Sequence, residues 1–298
     1  MRKKVTSMDE EMRAKLIAIR DASMSVTKPD KEFEFNAEGA DPDMLNKRGR
    51  EIKALALALY PRPILLQGPT GMGKSVLARA LSKALDLQYS AFNAHPGTDM
   101  SFLAGFWRPS PTESGAITIE WQNGLITDAA EKGHVLLFEE LSRAPQEAVS
   151  RVFGLLDEGF RYWPLPEKDS EGIKVHEKFW FIATSNPPDQ GYRTAEIDKA
   201  LESRFAGVFD LTKPIADEAR IIKGIVSEDI ALAIGRLCLA LRKNKETYIP
   251  TRDMVLLAQS IKGGMSPKKA LEVSLLPKFR TQREAVMTIA NDHAIWKS

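Results

Sequence analysis

The chain has 298 residues, which is long enough to bury a substantial hydrophobic core in one large domain or two smaller ones. Its 42 lysines and arginines nearly balance its 40 aspartates and glutamates, so no global field attracts nucleic acid or an acidic membrane. One cysteine excludes an intramolecular disulfide, the apolar runs are too short to span a bilayer, and no signal-type stretch follows the basic amino terminus, so we expect a soluble cytoplasmic protein.

The first 36 residues predict an N-terminal helical extension and a linker. Residues 8–22 are charged and amphipathic, and a polar stretch follows through about Gly39. Asp41 and Pro42 then suit the cap and the first turn of a helix that continues through residues 52–59. We therefore expect the main domain to begin at about residue 37.

A glycine-rich loop at residues 68–75 matches the phosphate-binding pattern G-x-x-x-x-G-K-[ST]. The apolar run before it, residues 64–66, predicts a buried strand, and the run after it predicts an amphipathic helix. In that context backbone N–H groups and the helix dipole bind phosphate. We predict that Lys74 contacts the β- and γ-phosphates of ATP and that Ser75 holds Mg²⁺. The predicted loop residues are Gly68, Pro69, Thr70, Gly71, Met72, Gly73, Lys74 and Ser75.

Four further apolar runs predict strands, and helical patterns alternate with them. This alternation is typical of an α/β fold with a mainly parallel, five-stranded sheet covered on both faces. After about Pro214 the strand signals stop, so residues 214–298 are expected to form an all-helical domain. There Ser227, Ser266 and Thr281 are predicted helix caps, the last in a capping box with Glu284, and Cys238 is a predicted core residue. The four runs are residues 89–92, 135–138, 179–183 and 208–211.

Polar side chains follow two of these predicted strands. Glu139 and Glu140 end the run at 135–138; one would hold the Mg²⁺ shell through water and the other would orient an attacking water. Glu139 stands where aspartate is usual, and its extra methylene changes its reach. Asn186 is predicted at the carboxyl edge of the sheet, where its amide can donate to the γ-phosphate. The alternatives are an acidic pair that caps the next helix and a turn-forming asparagine.

Taken in order, these motifs resemble AAA+ ATPases of the MoxR group, with its relatives that activate nitric-oxide reductase and Rubisco. The resemblance begins at about residue 40 and rests on the phosphate loop and on four further segments. It implies an AAA+ core at residues 37–213 and a helical lid at residues 214–298. The four segments are residues 137–145, 182–187, 201–205 and 250–252.

The resemblance also implies residue roles. Arg204 matches an arginine finger that would enter the site of a neighbouring subunit, although a surface ion pair is its alternative role. Arg252 matches the second sensor, carried by the lid, and Arg143 is a weaker candidate for a contact between subunits. The implied catalytic residues are Lys74, Glu140, Asn186, Arg204 and Arg252, and the implied Mg²⁺ residues are Ser75 and Glu139.

Two insertions fit the same group. Residues 95–124 resemble the insertion in its second helix, with a tip near residues 109–115 that we expect to be mobile. Residues 160–178 predict a β-hairpin with a polar loop at 167–172. The resemblance implies that such hairpins point towards the pore or the client. The aromatic residues predicted either to grip a partner or to pack are Phe106, Trp107, Tyr162 and Trp163.

The resemblance implies an ATP-hydrolysing hexameric ring that remodels or activates a client protein, often for cofactor maturation and with a von Willebrand factor A domain partner. A nucleic-acid motor or loader is the alternative, and it would need a basic, aromatic pore hairpin, whereas the loop at 167–172 is acidic. A nucleotide-dependent scaffold with negligible turnover is the third hypothesis. Binding to a membrane or to nucleic acid is not expected.

Overall fold

The structure is a computed structural model that describes residues 44–99, 103–111, 117–157, 162–168, 172–186, 197 and 199–293. The predicted amino-terminal helix and the helix entry at Asp41 lie outside these ranges. Within them the chain divides into two units. The first contains Glu51–Gly68 and Leu77–Asp210, and the second contains Pro69–Val76 with residues 44–50 and 211–293. No helix in the described ranges is long and apolar enough to cross a membrane.

The elements up to the end of the sheet follow in chain order. They are α1 (Lys47–Leu59), β1 (Ile64–Gln67), α2 (Lys74–Leu85), β2 (Tyr89–Asn93), β3 (Gly105–Pro111), β4 (Ile117–Asn123), α3 (Leu125–Lys132), β5 (Val135–Glu139), a 3₁₀ turn (Leu141–Arg143), α4 (Gln146–Leu156), β6 (Tyr162–Trp163), β7 (Ile173–Lys174), β8 (Trp180–Ser185), α5 (Lys199–Glu202) and β9 (Gly207–Asp210).

Helical elements make up the rest of the described chain. They are α6 (Glu218–Lys223), α7 (Glu228–Leu241), a 3₁₀ turn (Lys245–Thr247), α8 (Thr251–Lys262), α9 (Pro267–Ala270), a π-helical turn (Leu271–Leu275), a 3₁₀ turn (Leu276–Lys278) and α10 (Arg283–Asp292).

The first unit contains a five-stranded sheet in the order β2-β5-β8-β1-β9, and every pair in it is parallel. β8 is buried along its whole length and β5 at all but its last residue, which explains why their sequences read as continuous apolar runs. The central aromatic rings of Phe138 and Phe181 stack at 5.9 Å. The predicted α/β fold, a five-stranded parallel sheet followed by helices, is confirmed.

Each predicted insertion contains an antiparallel strand pair: β3 with β4, and β6 with β7. Phe106, Trp107 and Tyr162 are exposed, as a gripping role requires. For Trp163 the packing alternative applies, because its indole is buried in the core and donates to the backbone oxygen of Arg151 at 3.0 Å. Residues 112–116, at the predicted mobile tip, lie outside the described residues.

In the second unit, α6 to α10 surround their own apolar core, which contains Cys238. Burial raises the pKa of the Cys238 thiol to about 12, in agreement with a packing role. Ser266 caps α9 by accepting from a backbone N–H. The capping box predicted at Thr281 is wrong, because the cap position falls on Gln282 and the Thr281 hydroxyl bonds to the Gln282 side chain instead.

Candidate functional site

The first unit gathers the acidic pair and the asparagine at one edge of its sheet. Neighbouring β5, β8 and β1 are parallel, so their carboxyl ends lie side by side. Glu139 is the last residue of β5, Glu140 follows it, and Asn186 follows β8. The N–H of Gly68 donates to the oxygen of Ser185 at 3.1 Å, so the glycine loop leaves β1 at the same edge.

Glu140 and Asn186 are in direct contact. The side-chain Nδ2 of Asn186 lies 2.8 Å from each carboxylate oxygen of Glu140, and Asn186 is only 3% exposed. The N–H of Glu140 donates to the hydroxyl oxygen of Thr184 at 3.0 Å. The backbone of Glu140 is left-handed, with φ 58° and ψ 42°, which is uncommon for a residue other than glycine. The turn after β5 is therefore held so that the Glu140 carboxylate meets the asparagine amide.

Glu139 adds negative charge beside β2. Burial, and after it the charge of Glu139, raise the pKa of the Tyr89 hydroxyl to about 12, while Arg79 opposes the shift. The backbone oxygen of Glu139 accepts from the N–H of Ala94 at 2.9 Å. In the pairing of β2 with β5, Glu139 lies opposite Asn93.

The glycine loop belongs to the second unit from Pro69 onwards. Gly71 and Gly73 have φ values of 83° and 97°, which side chains with a Cβ rarely adopt, so both positions favour glycine. Lys74 is the first residue of α2 and is 8% exposed, and its ammonium donates to the oxygen of Pro69 at 3.0 Å. A left-handed glycine loop that ends at a helix N-terminus fits a bound phosphate.

Arg252 lies beside this loop in the second unit. Its backbone N–H donates to the oxygen of Gly71 at 3.4 Å, and a Cβ on Gly71 would come within 3.1 Å of the Arg252 Cβ. The Arg252 side chain is exposed in the first turn of α8. The residue predicted as the second sensor therefore sits against the predicted phosphate loop.

Arg204 lies on the surface of the first unit, just after α5. Its guanidinium lies 4.8 Å from the ring centroid of Phe153 and donates to the oxygen of Ala200. Within the described ranges, no group of three or more His, Cys, Asp or Glu side chains is placed to hold a metal ion. The assignment of Mg²⁺ to Ser75 and Glu139 stays a prediction.

Two groups of polar contacts were not predicted from the sequence. In the first, the Thr184 hydroxyl, which lies in the motif at residues 182–187, accepts from the N–H of Glu140 and orients its backbone. The other group joins Glu218, Arg242 and Thr251. Thr251 lies in the motif at residues 250–252, but its partner Glu218 is 33 positions away in the sequence. A local sequence pattern does not predict a contact over that separation.

A parallel sheet that carries a glycine loop after β1 and an acidic pair after β5 defines a P-loop nucleotide-binding protein. Residues 63–205 match the family described as AAA domain, dynein-related subfamily. The predicted resemblance to AAA+ proteins of the MoxR type is thereby confirmed.

The chain is similar to the following named proteins. NirQ of Stutzerimonas stutzeri, a denitrification regulatory protein, is 27% identical over 214 residues, or 70% of this chain and 75% of NirQ. YojN of Bacillus subtilis is 33% identical over 152 residues, or 51% of this chain and 48% of YojN, so the chain spans about half of that relative. A mutant of RuvB from Thermotoga maritima aligns with a TM-score of 0.47 at 15% identity, covering 85% of this chain and 73% of RuvB.

Proposed function

We propose that this chain is a Mg²⁺-dependent ATP hydrolase that works in a homo-oligomeric ring, hexameric by its resemblance. The observation that carries the proposal is the contact between Glu140 and Asn186 at the sheet edge of an AAA domain. In this assignment Lys74 and the loop from Gly68 to Ser75 bind the phosphates of ATP. Ser75 and Glu139 hold Mg²⁺, which neutralises charge on the phosphate oxygens when bound.

Glu140 is the residue that acts on water. Its carboxylate accepts a hydrogen bond from the attacking water and orients it towards the γ-phosphate. The Asn186 amide fixes the direction of that carboxylate and can also donate to a phosphate oxygen. In this proposal Glu140 orients the attacking water, and Asn186 orients Glu140 and senses the γ-phosphate.

Arg204 completes the site of a neighbouring subunit in this proposal. Its guanidinium is exposed, and it is supported from below by the Phe153 ring. An arginine supplied in trans neutralises charge that develops on the γ-phosphate, an effect of about 10³ to 10⁵ in rate in other NTPases. Arg252 supplies a second cation from the side of the helical lid.

The exposed surface of the β3–β4 hairpin favours a client protein as the binding partner. Side chains on a strand alternate between faces, and one face of this hairpin is apolar in both strands. Ile117 and Ile119 on that face are 75% and 70% exposed. The apolar face consists of Trp107, Pro109, Pro111, Ile117, Ile119 and Trp121.

Such a face fits an apolar segment of a protein better than the phosphates of nucleic acid. Pro109 and Pro111 have no N–H, so β3 is a poor edge for adding another strand and the client would bind across the face. We propose that the ring remodels or activates such a client together with a von Willebrand factor A domain protein. NirQ is named as a regulatory protein, and a regulatory role is in keeping with action on a partner.

Hydrolysis is tested with Lys74→Ala and Glu140→Gln. We expect Lys74→Ala to lose ATP binding and Glu140→Gln to bind ATP without releasing phosphate. Lys83→Ala, on the same helix but exposed in its last turn, is the matched control and should hydrolyse like the parent. Parental phosphate release by both site variants would refute the hydrolase, and ATP binding without turnover by the parent would favour the scaffold.

The shared site is tested by mixing subunits. Arg204→Ala and Glu140→Gln should each be inactive alone, and a mixture should regain turnover because some sites combine an intact glutamate with an intact arginine. Arg236→Ala, an exposed arginine on α7, is the control and should remain active. Full activity of Arg204→Ala, or of a strictly monomeric parent across dilutions, would contradict the ring.

The client is tested by co-purification with Glu140→Gln in ATP. Replacing Ile117 and Ile119 by serine should remove the client, while Gln122→Ala on the other face of the hairpin should keep it. If the serine variant keeps its client, the apolar face does not bind it. Salt-sensitive DNA binding that stimulates hydrolysis would support the nucleic-acid motor instead, and loss of self-association in the serine variant would assign the face to a second copy.

A further inference from the structure

A mostly buried ion pair lies inside the helical unit. Arg242, at the end of α7, donates from Nη1 and Nη2 to the two carboxylate oxygens of Glu218 on α6, at 2.6 and 2.7 Å. The side chains are only 12% and 16% exposed. Burial disfavours the guanidinium charge, but hydrogen bonds and charge from Glu218 outweigh it and raise the pKa of Arg242. The guanidinium therefore stays charged, and its two hydrogen bonds to Glu218 have a bidentate geometry.

The same ion pair forms hydrogen bonds with the chain on both sides of Pro250. The Nε of Arg242 donates to the oxygen of Ile249 at 2.8 Å, just before this proline. The Thr251 hydroxyl, just after it, donates to Oε1 of Glu218 at 2.5 Å. The ion pair thus fixes the direction in which α8 begins.

The segment that is gripped in this way is the one that touches the glycine loop. Arg252 donates its N–H to the oxygen of Gly71, and the Pro250 Cβ lies 3.0 Å from the place where a Gly71 Cβ would be. Tyr248, whose ring lies 5.7 Å from the Arg242 guanidinium, contacts the sulfur of Met72 at 3.7 Å through its hydroxyl. The loop therefore contacts the same segment that the ion pair holds in place.

We infer that Glu218, Arg242 and Thr251 are positioning residues that place Arg252 relative to the phosphate loop, and so set the affinity for ATP. The inference rests on the proposed function, because it needs a nucleotide at the loop. It goes beyond it by naming the side chains that act through Arg252. Thr251 is the most specific of the three, since its hydroxyl is the group that joins α8 to the ion pair.

The test measures the equilibrium dissociation constant for ATP in a Glu140→Gln background, where hydrolysis does not interfere. Thr251→Val removes the hydroxyl and keeps the shape of the side chain, and Thr251→Ser keeps the hydroxyl. We expect Thr251→Val to weaken ATP binding by about tenfold, the loss of a hydrogen bond to a charged group, and Thr251→Ser by no more than about twofold.

A double-mutant cycle separates positioning from a general loss of structure. In an Arg252→Ala background the effect of Thr251→Val on ATP affinity should nearly vanish, because the hydroxyl acts through Arg252. Fully additive effects would overturn the inference. Glu218→Gln, which keeps the shape of the side chain and one acceptor oxygen, should also weaken ATP binding.

The remaining outcomes are also decisive. If Thr251→Val and Glu218→Gln bind ATP as tightly as the background protein, the inference is overturned and the proposed function stands. If both lower the midpoint of urea unfolding without a change in affinity, the network is structural only and the inference is overturned. If the background protein and Lys74→Ala bind ATP equally, the proposed function itself fails and the inference falls with it.

Discussion

The amide of Asn186 donates to both carboxylate oxygens of Glu140, at 2.8 Å each, across 46 positions of sequence. One buried donor on two oxygens leaves the carboxylate little freedom to rotate. The catalytic base that we propose is therefore oriented by the residue that follows the neighbouring strand β8. An asparagine suits this place because its amide carries donors, whereas aspartate would bring a second negative charge.

Changing Asn186 tests this orientation. Asn186→Asp puts a carboxylate against Glu140 and should lower the turnover number for ATP more than Asn186→Ala, which merely removes the donor. Steady-state hydrolysis over a range of ATP concentrations gives the turnover number and KM. Asn93→Ala, at the end of the neighbouring β2, is the control and should leave both parameters unchanged. Equal activity of Asn186→Asp and the parent would contradict the orienting role.

Changing Thr184 tests the turn that carries Glu140. Thr184→Val is nearly isosteric and leaves the Glu140 N–H without its hydroxyl acceptor. A polar group left unsatisfied in this way costs about 1–3 kcal/mol, so the free energy of unfolding should fall by that amount. Urea denaturation measures it. Thr184→Ser keeps the acceptor and should retain most of the stability; if Val and Ser behave alike, the hydrogen bond does not hold the turn.

Replacement by alanine should have opposite effects on stability at a glycine of the phosphate loop and at a glycine inside a helix. Gly71→Ala adds a Cβ to a residue with a left-handed backbone, which costs about 1–2 kcal/mol. The new Cβ would also press against Pro250 and Arg252. We expect lower stability and weaker ATP binding. Gly235→Ala is the control: its Cβ meets nothing within 4 Å inside α7, so stability should rise by about 0.5–1 kcal/mol. Equal shifts at the two glycines would show that backbone conformation does not decide the effect.

His134 should make the fold sensitive to acid. Burial lowers the pKa of the His134 imidazole below its usual 6.5, although Asp128 opposes the shift. Because the folded pKa is the lower one, the unfolded chain binds the proton first, and stability falls as the pH drops below about 6.5. His134→Asn should therefore lose less stability than the parent between about pH 7.5 and about pH 5, measured by urea unfolding. His95 is exposed, and the stability of the control His95→Asn should fall as steeply with pH as that of the parent. If the stability of His134→Asn also falls as steeply, His134 is not the cause.

Local patterns carried the fold class and the family. Strand, glycine loop and helix are neighbours in the chain, so Gly68 to Ser75 could be recognised from spacing, and the apolar runs of β5 and β8 revealed strands buried on both faces. The order of motifs then pointed to the AAA domain that the family match confirms. The roles assigned to Lys74, Glu139, Glu140, Asn186, Arg204 and Arg252 stay predictions.

Folding in three dimensions decided which polar groups meet. Glu140 finds Asn186 and Thr184 because β5 pairs with β8, and Thr251 finds Glu218 because α6 and α8 pack on one core. It also decided that Trp163 is buried while Trp107 is exposed, although both are aromatic residues in hairpins. Periodicity reports how a segment contacts its own neighbours, whereas these contacts depend on strand order and helix packing between residues far apart in the chain.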